Sequence, residues 1–168
     1  VGSSSSFTVG LLNALCTLQG KVMDKHQLAK KSIHIEQNLI KETVGSQDQV
    51  SAAYGGFNHI KFLENGSFVV NPMTISKDRM NELNQHLMLF FSGVARTAEK
   101  VAKSYVVNIE TKEKQLHLMQ KMVSEAIAIL TGDGSLEDFG KLLHETWLEK
   151  SSLSKLVTNP YVEEMYSV

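Results

Sequence analysis

Two carboxylates and a run of serines hold the chemistry that this sequence offers. On a helical wheel of residues 27–41, Gln27, Lys30, Lys31, His34, Gln37, Asn38 and Lys41 share one arc. Leu28, Ala29, Ile33, Ile35, Leu39 and Ile40 fill the opposite arc, and Glu36 points to the middle of it. A carboxylate on an apolar face is costly unless it meets a cation, a metal or several donors. Glu36 therefore reads as a buried ion pair, as packing at a helix end, or as a functional ligand. Asp48 stands in Gly45-Ser46-Gln47-Asp48-Gln49, just inside a short helix. An acid in a first turn complements the helix dipole. Held in a Gly-bounded loop beside an anion, the same acid is placed to act as a general base or an electrostatic anchor.

The serine run, Ser3, Ser4, Ser5 and Ser6 after Gly2, opens a helix. A helix N-terminus presents unpaired N–H groups and a partial positive charge, which suits phosphate. Gly2 would let the backbone approach an anion closely, and hydroxyls bind phosphate oxygens or magnesium. The run serves equally well as a redundant N-cap or a flexible end. It is no Walker loop, because no Gly-Lys-Ser/Thr follows at the required spacing. Arg96 and Thr97, after Gly93, offer a bidentate fork to a substrate phosphate or simply begin a helix at the surface. The six histidines form neither a His-x3-His pair nor HExxH, which argues against zinc. Trp147, Met119, Met122 and Met165 sit at helical spacing and read as core.

The elements that must position these groups can be read from the pattern. A helix is expected over residues 7–18, buried because it is apolar on most faces, and ended by Gly20. Asp24 caps a second helix to about Lys41, and a third, short helix stops at Gly55-Gly56. Residues 57–63 and 67–70 flank Asn65-Gly66 as a hairpin, with Pro72 closing the second strand. Ser76 caps a short helix to about Leu83, and residues 86–91 read as a buried strand that passes into a helix including Arg96, Thr97 and Val101. Beyond Glu110 the pattern is helical: 110–131, 135–150, and a helix started by Asn159-Pro160, with Gly132-Asp133-Gly134 between the first two. The shift from mixed α and β to mainly helix sets a domain boundary near 72–85.

Composition narrows the function classes. The chain has 168 residues, 42% hydrophobic and 21% charged, enough for one sizeable domain or two small ones. A net charge of -1 speaks against nucleic acid or an anionic membrane as partner. One cysteine, Cys16, cannot close an internal disulfide, so a reducing, cytoplasmic setting is expected. No run is long enough to cross a bilayer, and there is no signal-peptide pattern. No coiled-coil heptad is sustained, so the sequence assigns no oligomeric state. Both ends read as interrupted elements, a chain that starts within a loop and stops within a helix.

Taken together these segments resemble the galactokinase, homoserine kinase, mevalonate kinase and phosphomevalonate kinase (GHMP) superfamily. Val1-Gly2-Ser3-Ser4-Ser5-Ser6 is similar to the last half of its second motif, Pro-x3-Gly-Leu-Gly-Ser-Ser-Ala, with Val in place of Leu. Asp48 follows Glu36 by twelve positions, the spacing of the family's magnesium-binding Glu and catalytic Asp. His34-Ile35-Glu36-Gln37, Val44-Gly45-Ser46-Gln47-Asp48-Gln49 and Ala53-Tyr54-Gly55-Gly56-Phe57-Asn58 resemble most closely the branch of bacterial heptose 7-phosphate 1-kinases. Leu89-Phe90-Phe91-Ser92-Gly93, Arg96-Thr97, Asp138-Phe139-Gly140 and Leu143-His144-Glu145 extend that likeness along the chain. Fucokinase-like relatives share several of these phrases.

The resemblance implies an α+β fold of the GHMP kinase type, truncated at both ends. Its N-terminal part would be like domain 2 of ribosomal protein S5, and its C-terminal part helix-rich and ferredoxin-like. Residues 1–75 would complete the ATP-binding N-terminal domain and 76–168 begin the C-terminal domain, with the active site in the cleft between them. It implies transfer of the γ-phosphate of ATP to the anomeric hydroxyl of heptose 7-phosphate, in nucleotide-activated heptose synthesis. Asp48 would be the base, Glu36 and Ser4 would hold Mg2+, and Gly2, Ser3, Ser4, Ser5 and Ser6 would wrap the phosphates. Gln49, Arg96 and Thr97 would face the substrate. The alternatives are a fucokinase- or galactokinase-like enzyme, or a non-catalytic sugar-phosphate-binding module. The family's first and third motifs lie outside these residues, so 168 residues alone are expected not to turn over.

Overall fold

The computed structural model describes residues 2–91 and 98–167. Two compact units divide the chain, residues 1–73 and 74–168. The architecture is α+β, helix-rich with one two-stranded sheet among the described residues.

The first unit packs three helices and a hairpin. Helix α1 spans Ser3–Leu18, α2 spans Lys25–His34 and runs into a π-helical turn at Ile35–Leu39, and α3 spans Gln47–Tyr54. Asp24 starts α2 with a full capping box: its carboxylate accepts from Gln27 N, and the Gln27 side chain accepts from Asp24 N. Strands β1 (Asn58–Phe62) and β2 (Phe68–Pro72) pair antiparallel, with Ile60 opposite Val70 and Phe62 opposite Phe68. Asn65 Oδ1 accepts from Ser67 N and Ser67 Oγ, and Gly66 takes φ 77, which closes the turn. Side chains at alternate strand positions face one way. Ile60, Phe68 and Val70 therefore cover Ala29, Ile33, Val50, Ala53 and Tyr54 of α2 and α3. His26 and Tyr54 bracket Phe68, and the His26 ring stands in hydrogen-bond range of the Tyr54 hydroxyl.

Two sequence expectations fail here. The four serines lie inside α1, whose N-cap is Gly2, rather than ahead of it. Nor is α1 buried on most faces: Ser5 and Val9 are buried, whereas Phe7, Leu11, Leu15 and Leu18 are exposed. Only one edge of the helix meets α2 and α3.

The second unit is helical. Helix α4 (Lys77–His86) is capped by Ser76 Oγ, which accepts from Arg79 N. Helix α5 (Ala98–Val106) and a 3-10 turn at Ile109–Lys112 lead to α6 (Glu113–Thr131) and α7 (Leu136–Ser152), which pack together. Helix α8 (Pro160–Tyr166) begins on Asn159 Oδ1, which accepts from Val162 N, with Pro160 in its first turn. Met122, Leu130, Leu136, Leu142, Leu153 and Val157 are buried. Arg79 closes the end of α6, donating from Nη2 to Ile129 O and Gly134 O at 2.9 and 2.6 Å. Gly132 is the C-cap of α6, and the position favours glycine because a Cβ there would stand 2.9 Å from Ala128 O.

The expected strand at 86–91 is not formed. Residues 87–91 have no regular structure and their side chains are exposed, Leu89 at 91% and Phe91 at 90%. A strand needs a neighbour to take its backbone hydrogen bonds, and none of the described residues supplies one. Arg96 and Thr97 lie outside the described residues. Among the described residues no helix is long and apolar enough to cross a membrane.

Candidate active site

Gly2 is held at φ 61, a left-handed conformation that L side chains resist, and it launches α1. Ser6 N–H is bonded to Gly2 O at 2.9 Å, so the N–H groups of Ser3, Ser4 and Ser5 have no partner inside the helix. The sixteen-residue helix adds its dipole at that end. A side chain at Gly2 would lie 3.8 Å from Asp48 Cγ and Oδ2, so the exposed Asp48 carboxylate sits beside the start of α1. The helix terminus and the acid, 46 positions apart in sequence, are neighbours through the packing of α1 on α3.

Glu36 is buried, 4% exposed, as its place on the apolar arc of α2 predicts. Its Oε2 accepts from Gln49 Nε2 at 2.5 Å and from Ser5 Oγ at 3.4 Å. Its Oε1 is buried with no hydrogen-bond partner, and so are Ser32 Oγ and Gln49 Oε1. Glu36 sits on the π-helical turn, where Ile40 N reaches Ile35 O and Glu42 N reaches Glu36 O, both at 2.9 Å. Widening the helix there turns Leu39 and Ile40 out to solvent, unlike the straight helix assumed from the wheel. The loop that follows is tied back: Gln37 Nε2 donates to Val44 O and to Ser46 Oγ. Lys41, with φ 63, also takes a left-handed turn in it. That loop delivers Asp48 and Gln49 to the first turn of α3.

The structure thus gathers Gly2, the serine run, Glu36, Asp48 and Gln49 within one unit. Ser5 is the serine whose hydroxyl reaches Glu36; Ser3, Ser4 and Ser6 are exposed. Gln49 is turned inward, 1% exposed, toward Glu36. Ser32 escaped sequence reasoning, although its place four residues before Glu36 puts it on the same helical face.

Among the described residues no three His, Cys, Asp or Glu side chains cluster to hold a metal. Glu36 nonetheless fits a divalent ion, since Oε1 is a buried acceptor with nothing to accept from. A magnesium ion bound through one carboxylate takes its other ligands from hydroxyls, water and phosphate oxygens.

A helix N-terminus beside one exposed and one buried carboxylate is suited to binding an anion next to an acid, and comparison with known proteins shows what the chain is similar to. Residues 1–56 match the family model of the GHMP kinases N terminal domain. That portion of the chain is similar to the N-terminal domain of the GHMP kinases. The whole chain is 28% identical over 173 residues to D-glycero-alpha-D-manno-heptose 7-phosphate kinase of Campylobacter jejuni, and spans 50% of it. Over 97% of its length it is 26% identical to L-fucokinase/L-fucose-1-P guanylyltransferase of Bacteroides fragilis, spanning 18% of that protein. In fold, it matches a crystal structure of a D-glycero-D-manno-heptose 1-phosphate kinase from Bacteroides thetaiotaomicron at TM-score 0.74 and 24% identity. That match covers 90% of this chain and 44% of the other. The chain therefore spans about half the length of its heptose-kinase relatives.

Proposed function

We propose that the protein is an ATP-dependent sugar kinase that phosphorylates the anomeric hydroxyl of a heptose 7-phosphate, and that this chain carries much of its nucleotide site. One observation carries the reading. The N-terminus of α1, the exposed Asp48 and the buried, half-satisfied Glu36 converge within residues 1–73. The likeness to a heptose 7-phosphate kinase supports the acceptor.

The unpartnered N–H groups of Ser3, Ser4 and Ser5, with the hydroxyls of the run, would cradle the nucleotide phosphates. Asp48, exposed beside that terminus, would orient the sugar hydroxyl and take its proton as the oxygen attacks. Glu36 and Ser4 are the residues we assign to Mg2+, which when bound would neutralise charge on the phosphate oxygens. Ser5 is a second hydroxyl for that role, since it already touches Glu36. Arg96 and Thr97 are assigned to the acceptor's 7-phosphate. Residues 1–75 would be part of the family's N-terminal domain and 76–168 part of its C-terminal domain. A cytoplasmic location completes the proposal.

The likeness to a fucokinase supports a second reading, with fucose as the acceptor. Assays of the full-length protein with heptose 7-phosphate, fucose and galactose separate the two. The proposal expects kcat/KM to be highest, by at least about tenfold, for heptose 7-phosphate. A preference for fucose or galactose overturns the heptose assignment, and turnover of none of them overturns the kinase reading.

A further inference from the structure

We infer that Gln49 is a positioning residue: its buried amide holds the Glu36 carboxylate so that Oε1 alone is presented to a divalent cation, and it makes no contact with the sugar. The inference rests on the reading of Glu36 as a metal ligand. Gln49 and Glu36 are both almost wholly buried, at 1% and 4% exposure. Gln49 Nε2 donates to Glu36 Oε2 at 2.5 Å, the nearer of the two side-chain donors to that carboxylate. The Ser5 hydroxyl at 3.4 Å adds little, so Gln49 is the group that fixes the carboxylate's rotation.

Fixing Oε2 leaves Oε1 as the free acceptor, and it is the atom without a partner. The backbone strengthens the assignment. Asp48 and Gln49 are consecutive in the first turn of α3, and successive helical side chains diverge by about 100°. Asp48 consequently faces the start of α1 from the surface while Gln49 points inward to Glu36. One helical turn thereby sets the base and, through Gln49, the metal carboxylate in a fixed relation. A partner that orients a metal-binding carboxylate typically changes metal affinity by about 10- to 100-fold when lost.

The test measures calorimetric binding of ADP with Mn2+, ADP without metal, and heptose 7-phosphate to the full-length protein and its variants. Gln49→Met is expected to weaken Mn2+-dependent ADP binding by about tenfold, leaving metal-free ADP and sugar affinities unchanged. The double variant Glu36→Gln/Gln49→Met is expected to bind Mn2+-ADP no more weakly than Glu36→Gln alone, because the two residues act as one unit. Weaker sugar binding in Gln49→Met with Mn2+ dependence intact overturns the inference, as does a double variant whose loss is the product of the single losses. If Glu36→Gln itself leaves Mn2+ dependence unchanged, the metal reading of Glu36 falls and the inference with it. If only Gln49→Met is silent, the inference falls alone. Gln49→Asn, which withdraws the amide by one methylene, carries the same test should the Met variant fail to fold.

Discussion

Glu36→Gln should stabilise the protein in the absence of any ligand, although it removes the residue assigned to the metal. Glu36 is 4% exposed, and its carboxylate receives one good donor, Gln49 Nε2, and one distant one, Ser5 Oγ. A hydrogen bond to a charged group contributes about 1.5–3 kcal/mol. Burying an ion costs several kcal/mol even after relaxation. With Oε1 unpartnered, the balance leaves the carboxylate about 1–2 kcal/mol less favourable than an amide of the same shape. The glutamine variant keeps an acceptor for Gln49 Nε2 and removes the buried charge. For a unit of this size each kcal/mol moves the unfolding midpoint by about 4–8 °C. Thermal unfolding followed by circular dichroism should therefore show the midpoint for residues 1–73 raised by about 5–10 °C in Glu36→Gln. Added Mg2+ and nucleotide should stabilise the unaltered protein and shift the variant much less. A fall in midpoint for Glu36→Gln without ligand would refute the reasoning, since it would make the carboxylate a structural anchor rather than a site held ready for a cation.

Two other outcomes are expected, one from each unit. Asp48→Asn in the full-length protein should lower kcat by about 10²–10⁴-fold with nucleotide affinity little changed, as steady-state kinetics and calorimetry would read, because an exposed amide keeps the shape and loses the base. Arg79→Ala should leave the Ile129 and Gly134 carbonyls without their donor and destabilise residues 74–168 by about 1–3 kcal/mol. Faster hydrogen exchange at the end of α6, with exchange in residues 1–73 unaffected, would register it.

Much of the scaffold was legible because its signals are local. Asp24, Ser76 and Asn159 each cap the helix expected from them, since a side-chain oxygen and an N–H two or three residues on suffice. Asn65-Gly66 closes its hairpin, and Gly132 stands at the C-cap of α6, for equally short-range reasons. Glu36 was legible as an oddity from helical periodicity alone, and its burial follows that wheel.

Other features depend on what packs where. No local rule says which serine of four meets Glu36; the edge of α1 that rests on α2 and α3 selects Ser5. The π-helical turn decides that Leu39 and Ile40 face solvent, and no sequence spacing announced it. Residues 87–91 read as a buried strand from composition, yet a strand exists only when a neighbour accepts its hydrogen bonds. The capped helices, the hairpin and the presence of two unusual carboxylates follow from residue types within a few positions. Tertiary structure alone decided that Asp48 stands beside Gly2 and that Gln49 turns inward to Glu36. Such pairings are set by how helices pack, a long-range outcome of burying Ala29, Val50 and Phe68 together.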